Sequence, residues 1–120
     1  MKSLLIPVTL FLLLFGSCKK EAQQRTIVAT TTNVSSSTDY TIVAKNTTTN
    51  TVPLSIATGQ GIGNNSYTFY ANSGDVLNVQ YAFYPTGSQP AQGNLDITSN
   101  GQNVLHANGG NGTNFIIKVP

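Results

Sequence analysis

Apolar residues recur at every second position in short runs along this chain, with polar residues between them. Val52, Leu54 and Ile56 alternate in this way, as do Leu77, Val79, Tyr81 and Phe83, and later Phe115, Ile117 and Val119. A period of two places successive side chains on opposite faces of a strand, one face buried and one wet. No segment keeps the 3.6-residue period of an amphipathic helix. The pattern predicts seven strands, at 40–45, 51–57, 66–71, 76–84, 94–98, 103–107 and 114–119, separated by Gly, Asn, Ser and Pro. Short strands at this spacing predict an all-β domain of two small sheets packed face to face, a β-sandwich of immunoglobulin-like or jelly-roll-like kind. Tyr40, Tyr67, Phe69, Tyr81, Phe83 and Phe115 are its expected core aromatics, each able to bury roughly 150–250 Å². Pro53 lacks an N–H for a ladder bond, which places its strand at a sheet edge. Such an edge is either shielded by the proline or paired with a partner.

The link Asn72-Ser73-Gly74 carries a register argument. If 66–71 and 76–84 pair as a hairpin, a three-residue loop with Gly74 at positive φ keeps Tyr67 and Phe69 on the face of Leu77 and Val79. If the two strands lie in opposite sheets, the argument lapses.

The first residues follow another logic. Lys2 precedes a largely apolar stretch at 4–15, broken by Pro7 and Thr9, and small residues Gly16 and Ser17 then precede Cys18. This is the layout of a secretory signal, and the stretch is shorter than the ~18 residues of a membrane span. The expected organisation is a signal over 1–17, a polar linker over 18–38 and the β-domain over 39–120. The triplets Thr30-Thr31-Thr32 and Ser35-Ser36-Ser37 suit a flexible stalk. Thr26-Ile27-Val28-Ala29 reads equally well as a short first strand.

Cys18 is the chain's one cysteine, so no internal disulfide is available. Phe15-Gly16-Ser17-Cys18 resembles the lipobox of bacterial lipoproteins, and Ser17-Cys18-Lys19-Lys20 is similar to the pattern of Bacteroidota members. The resemblance implies cleavage before Cys18, several acyl chains on it and residence in the cell envelope, with the outer membrane as the expected site. Surface-export signals of that group resemble a Lys followed by several acids. Lys20-Glu21 supplies one, so the face is left open.

Charge narrows the range of partners. The whole chain is formally +2, but Lys2, Lys19, Lys20 and Arg25 all precede residue 39. From Asp39 onward two lysines stand against three aspartates, with no Arg, Glu or Trp. Phosphate contacts dominate nucleic-acid affinity, so a nucleic-acid role is rejected. The expected partners are the membrane, through Cys18, and an envelope protein or a glycan.

The run Tyr67-Thr68-Phe69-Tyr70-Ala71-Asn72-Ser73-Gly74-Asp75-Val76-Leu77-Asn78-Val79 resembles the strand–turn–strand of pre-peptidase C-terminal-type domains. Gly93-Asn94-Leu95-Asp96-Ile97 is similar to their following strand, and 115–119 to their last. The resemblance implies a compact β-sandwich with a non-catalytic accessory role.

Candidate chemistry is sparse. His106 is the one histidine; a Ser-His-Asp arrangement would need it beside an aspartate and an activated serine, and no Gly-x-Ser-x-Gly elbow is present. Asp75 follows Gly74 and is expected to bond within a turn. Asp39 precedes a strand, and Asp96 alternates with Leu95 and Ile97 and should face solvent. The run at 109–117 matches one calcium-binding nonapeptide with Asn114 in place of Asp, but such repeats work in tandem. Gly59-Gln60-Gly61-Ile62-Gly63 lacks both dinucleotide spacing and a phosphate-binding Lys. Neither a cofactor nor a metal is expected, and no catalytic residue is assigned. Tyr70 and Tyr84 point away from the face of Phe69 and Phe83 and are the candidate ligand contacts, either as anchors for a protein or as platforms for sugars. The expected function is a membrane-anchored, non-catalytic binding or structural module, with carbohydrate binding through the exposed tyrosines as the alternative.

Overall fold

The computed structural model describes residues 23–60, 64–109 and 111–120, with side chains except at 58–60 and 111–114. The described residues contain no helix. Among the described residues eight strands form: β1 (Gln24–Thr32), β2 (Thr38–Asn46), β3 (Thr51–Gln60), β4 (Asn65–Asn72), β5 (Val76–Pro85), β6 (Asn94–Ser99), β7 (Gln102–Asn108) and β8 (Asn111–Lys118). They build two four-stranded antiparallel sheets, ordered β4-β1-β6-β7 and β3-β2-β5-β8. This is the two-sheet sandwich the alternation predicts, with one strand more than expected.

The added strand is β1, which runs through the region read as linker. It is an inner strand, paired with β4 on one side and β6 on the other. Ile27, Ala29 and Thr31 turn into the core and are at most 1% exposed. The threonines that read as low-complexity stalk are strand formers, because a branched Cβ suits a half-buried pleat. Within the serine segment, Val34 is buried and the Ser35 N–H donates to the Gln92 carbonyl. The folded unit therefore begins near Gln24 rather than Asp39.

Core positions follow period two in both sheets. Tyr40, Ile42 and Ala44 of β2 face Leu77, Val79, Tyr81 and Phe83 of β5 in the register Tyr40↔Phe83, Ile42↔Tyr81 and Ala44↔Val79. Leu95 and Ile97 of β6 join them from the other sheet. Tyr40 is fully buried, and its hydroxyl is met by the Tyr67 hydroxyl and by the Asn65 Nδ2 at 3.0 Å. A buried tyrosine needs such partners. Phe115 was expected inside but is 37% exposed, because β8 is an edge strand that leaves one side of the ring uncovered. Its other side packs on Tyr81, with ring centres 5.6 Å apart.

Pro53 lies on edge strand β3, as its missing N–H requires. The register shifts between Ala44↔Leu54 and Asn46↔Thr51, so β3 carries an extra residue here. That bulge breaks the alternation, and Val52 is 54% exposed while Leu54 is buried.

β4 and β5 lie in opposite sheets, so the hairpin register for Asn72-Ser73-Gly74 lapses. The link is a tight crossing in which the Asp75 N–H donates to the Asn72 carbonyl at 2.9 Å. Gly74 has φ +91°, the left-handed value required at the third position of a type II turn. Strand directions then fix two poles. Gln23, the β2–β3, β4–β5 and β6–β7 turns and Pro120 share one pole, where the Ser73 N–H donates to the Gln23 carbonyl and the Arg25 Nε to the Pro120 carbonyl. The 33–37 and 86–93 connections share the other, joined by the Thr86 N–H on the Ser37 carbonyl.

Candidate functional site

At the pole of Gln23 the chain builds a polar cleft of about 190 Å³. Its frame is a pair of buried polar side chains. Asn46 ends β2, and its Oδ1 accepts the backbone N–H groups of Thr48 and Thr49, each at 3.1 Å. This is the local bonding that makes asparagine a turn residue. Asn46 Nδ2 then donates to Asp75 Oδ2 at 2.8 Å, and the Asn72 N–H donates to the same oxygen at 2.9 Å. Asp75 is 7% and Asn46 3% exposed. One carboxylate thus ties the β2–β3 turn to the crossing between sheets. Gln24, Thr49, Thr51 and Asn72 complete the walls with amides and hydroxyls, and Tyr70 stands at the rim.

Asp75 bonds within its own turn, as expected. It also joins a turn 29 residues away, which no local pattern predicts. Asn46 was missed as a site residue, and the signal present was an asparagine opening Thr47-Thr48-Thr49-Asn50 between two strands.

The two candidate tyrosines part company. Tyr70 is 58% exposed on the outer face of edge strand β4. Tyr84 is half-buried on the outer face of β5, opposite Asp39 of β2. The sheets pack through their inner faces, so the two rings look out from opposite sides of the sandwich. They form no shared platform.

His106 and Asp96 face each other across β6 and β7, and His106 Nδ1 bonds Asp96 Oδ1. The same row continues over the sheet through Thr30 to Ser66, whose hydroxyls lie 3.3 Å apart. The order along the row is hydroxyl, hydroxyl, carboxylate, imidazole. A nucleophile triad needs the imidazole between the hydroxyl and the acid. Here Ser66 lies three strand spacings from His106, about 14 Å at ~4.8 Å per strand. The histidine side chain is 52% exposed on an open sheet face.

Among the described residues, Tyr67 is the one group with a resolved shift. Its phenol is pushed up to about 12 by desolvation first and by the Tyr40 hydroxyl second. Among the described residues, no three His, Cys, Asp or Glu side chains are placed to hold a metal ion. Cys18, the signal over 1–17 and the glycines at 61 and 63 lie outside the described residues. In the nonapeptide-like run, Asn111–Lys118 forms strand β8 against β5.

No protein-family model, curated protein or solved structure matches this chain.

Proposed function

We propose that this protein is an exported lipoprotein, held in the cell envelope by lipid on Cys18, whose β-sandwich is a non-catalytic binding module. The observation that carries the reading is Phe15-Gly16-Ser17-Cys18 directly after the apolar stretch. The position of β1 adds a physical consequence. Only five residues lie between Cys18 and Gln24, so the tether reaches at most ~22 Å at ~3.3–3.6 Å per residue step. The pole of Gln23 and Pro120 therefore sits against the membrane, and the 33–37 and 86–93 connections point away from it. The non-catalytic part of the reading is supported by the row order at His106, where the Thr30 and Ser66 hydroxyls lie beyond the Asp96 carboxylate instead of on the far side of the imidazole from it. The likeness to pre-peptidase C-terminal-type domains points to the same accessory role.

The test is lipidation itself. Metabolic labelling with a fatty acid should mark the wild-type protein, and Cys18→Ala should release the domain from the membrane fraction. An unchanged membrane pool in Cys18→Ala, or a mature N-terminus elsewhere without lipid, would refute the anchor.

A second reading, carbohydrate binding, is favoured by Tyr70 at the rim of the polar cleft. It now rests on Tyr70 rather than on a pair, because Tyr84 faces the other way.

A further inference from the structure

The cleft at the Gln23 pole joins three kinds of group. Tyr70 offers an exposed aromatic ring at the rim. Asp75 offers a carboxylate in the wall, and both of its bonds described above fall on Oδ2. Gln24, Thr49 and Thr51 offer amide and hydroxyl groups. This set restricts the ligand. Among the described residues no Lys or Arg lines the cleft, so they offer an anion no countercharge. An apolar ligand would strip water from a mostly polar wall without replacing its hydrogen bonds, which is costly. A neutral ring with many hydroxyls and one C–H face meets both demands. Its hydroxyls donate to the carboxylate in charge-assisted bonds, and its C–H face lies on the negative face of the aromatic ring. The volume of about 190 Å³ lies below the ~300–1,000 Å³ of drug-sized sites and suits one ring rather than a longer chain.

We propose that this cleft binds a single neutral saccharide ring, stacked on Tyr70 and hydrogen-bonded to Asp75 and Gln24. The proposal rests on the binding-module reading and names its ligand class. The ring belongs either to a glycolipid headgroup or to a soluble glycan. The short tether holds the cleft close to the headgroup layer.

The experiment uses full-length protein in a phosphocholine detergent, which carries no sugar. It is titrated with the methyl glycosides of a hexose and of an N-acetylhexosamine and read by saturation-transfer NMR. Saturable transfer to ring C–H protons is expected in the wild type and equally in Tyr84→Ala, whose side chain is on the opposite sheet. Tyr70→Ala should weaken it by about tenfold or more, as loss of an aromatic anchor does, and Gln24→Ala should weaken it less. Absence of saturable transfer with both sugars, or equal transfer in Tyr70→Ala, overturns the site. Reconstitution into vesicles separates the two sources. Suppression of the free-sugar signal by a hexosyl-diacylglycerol in the bilayer assigns the headgroup, and an unchanged signal assigns a soluble glycan. A mature N-terminus without lipid would remove the anchor and leave the Tyr70 dependence intact, so the two readings fail separately.

Discussion

Replacing Gly93 by alanine adds one methyl group where the core has no room for it. A Cβ built there lies 2.6 Å from Phe83 Cε1 and 2.7 Å from Cδ1, whereas carbon atoms rest at ~3.5–4.0 Å. The ring or the backbone must therefore move by about 1 Å to restore contact distance. Neither moves easily. Phe83 is 4% exposed and is wedged between Tyr40 and Tyr81, with ring centres 5.9 and 6.0 Å away. The Gly93 carbonyl accepts the Gly109 N–H at 2.6 Å, and β6 starts at the next residue. Gly93 does not have a left-handed φ, so the cost is contact alone. Overpacking of this kind costs ~1–3 kcal/mol, and a clash with two ring carbons belongs in the upper part of that range, about 2–3 kcal/mol. For a domain of this size that lowers Tm by roughly 10–20 °C. Urea unfolding followed by far-ultraviolet circular dichroism measures it. Phe83→Leu removes Cε1 and the rigid ring, leaving a shorter side chain that can turn away, so the Gly93→Ala/Phe83→Leu protein should be more stable than the sum of the single effects by over ~1 kcal/mol. A Gly93→Ala protein within ~0.5 kcal/mol of wild type, or a strictly additive double variant, refutes the packing described here.

Asp75→Ala strips the shared acceptor from the Asn46 amide and the Asn72 N–H, and should cost about 2–4 kcal/mol; a loss below ~0.5 kcal/mol would mean that the turns hold without it. The Tyr67 phenol sits near 12 in the folded protein against 10.0 unfolded. The folded state therefore holds the proton longer, and the stability it adds is complete below pH ~10 and lost as pH rises through ~12. Two pH units correspond to ~2.7 kcal/mol, which solvent at this half-buried site screens to about 1 kcal/mol. Tyr67→Phe should flatten the pH profile between 10 and 12 by that amount, and identical slopes for the two proteins would count against it. A chain starting at Asp39 lacks the inner strand β1 and should be unfolded by circular dichroism, while one starting at Gln23 folds; a cooperative transition in the shorter chain would remove β1 from the core.

Local chemistry made much of the fold legible. Alternation in 40–45 and 76–84 announces which side of each strand is buried, because successive side chains take opposite faces wherever the strand pairs. Pro53 announces an edge for an equally local reason, its missing donor. β1 was harder to read. Thr30-Thr31-Thr32 looks like a solvated linker by polarity and like a strand by Cβ branching, and only burial of Thr31 between β4 and β6 decides between them. The bulge at Val52 is similarly hidden, since one inserted residue reverses the face without changing the letters.

The sequence alone determined that most of the strands would form, which side chains on the regular ones would turn inward, and where chain direction would change, because those preferences act over one to four residues. Only the tertiary structure decided which sheet each strand joins. Period two relates a side chain to its own strand and says nothing of the strand's partner, so Tyr70 and Tyr84 look equivalent in the chain and end on opposite faces. The cleft depends on the same long-range step. Gln24, Asn46, Tyr70 and Asp75 come from separate segments, and they meet because the crossing at Gly74 carries the chain from one sheet to the other at the pole where β1 begins.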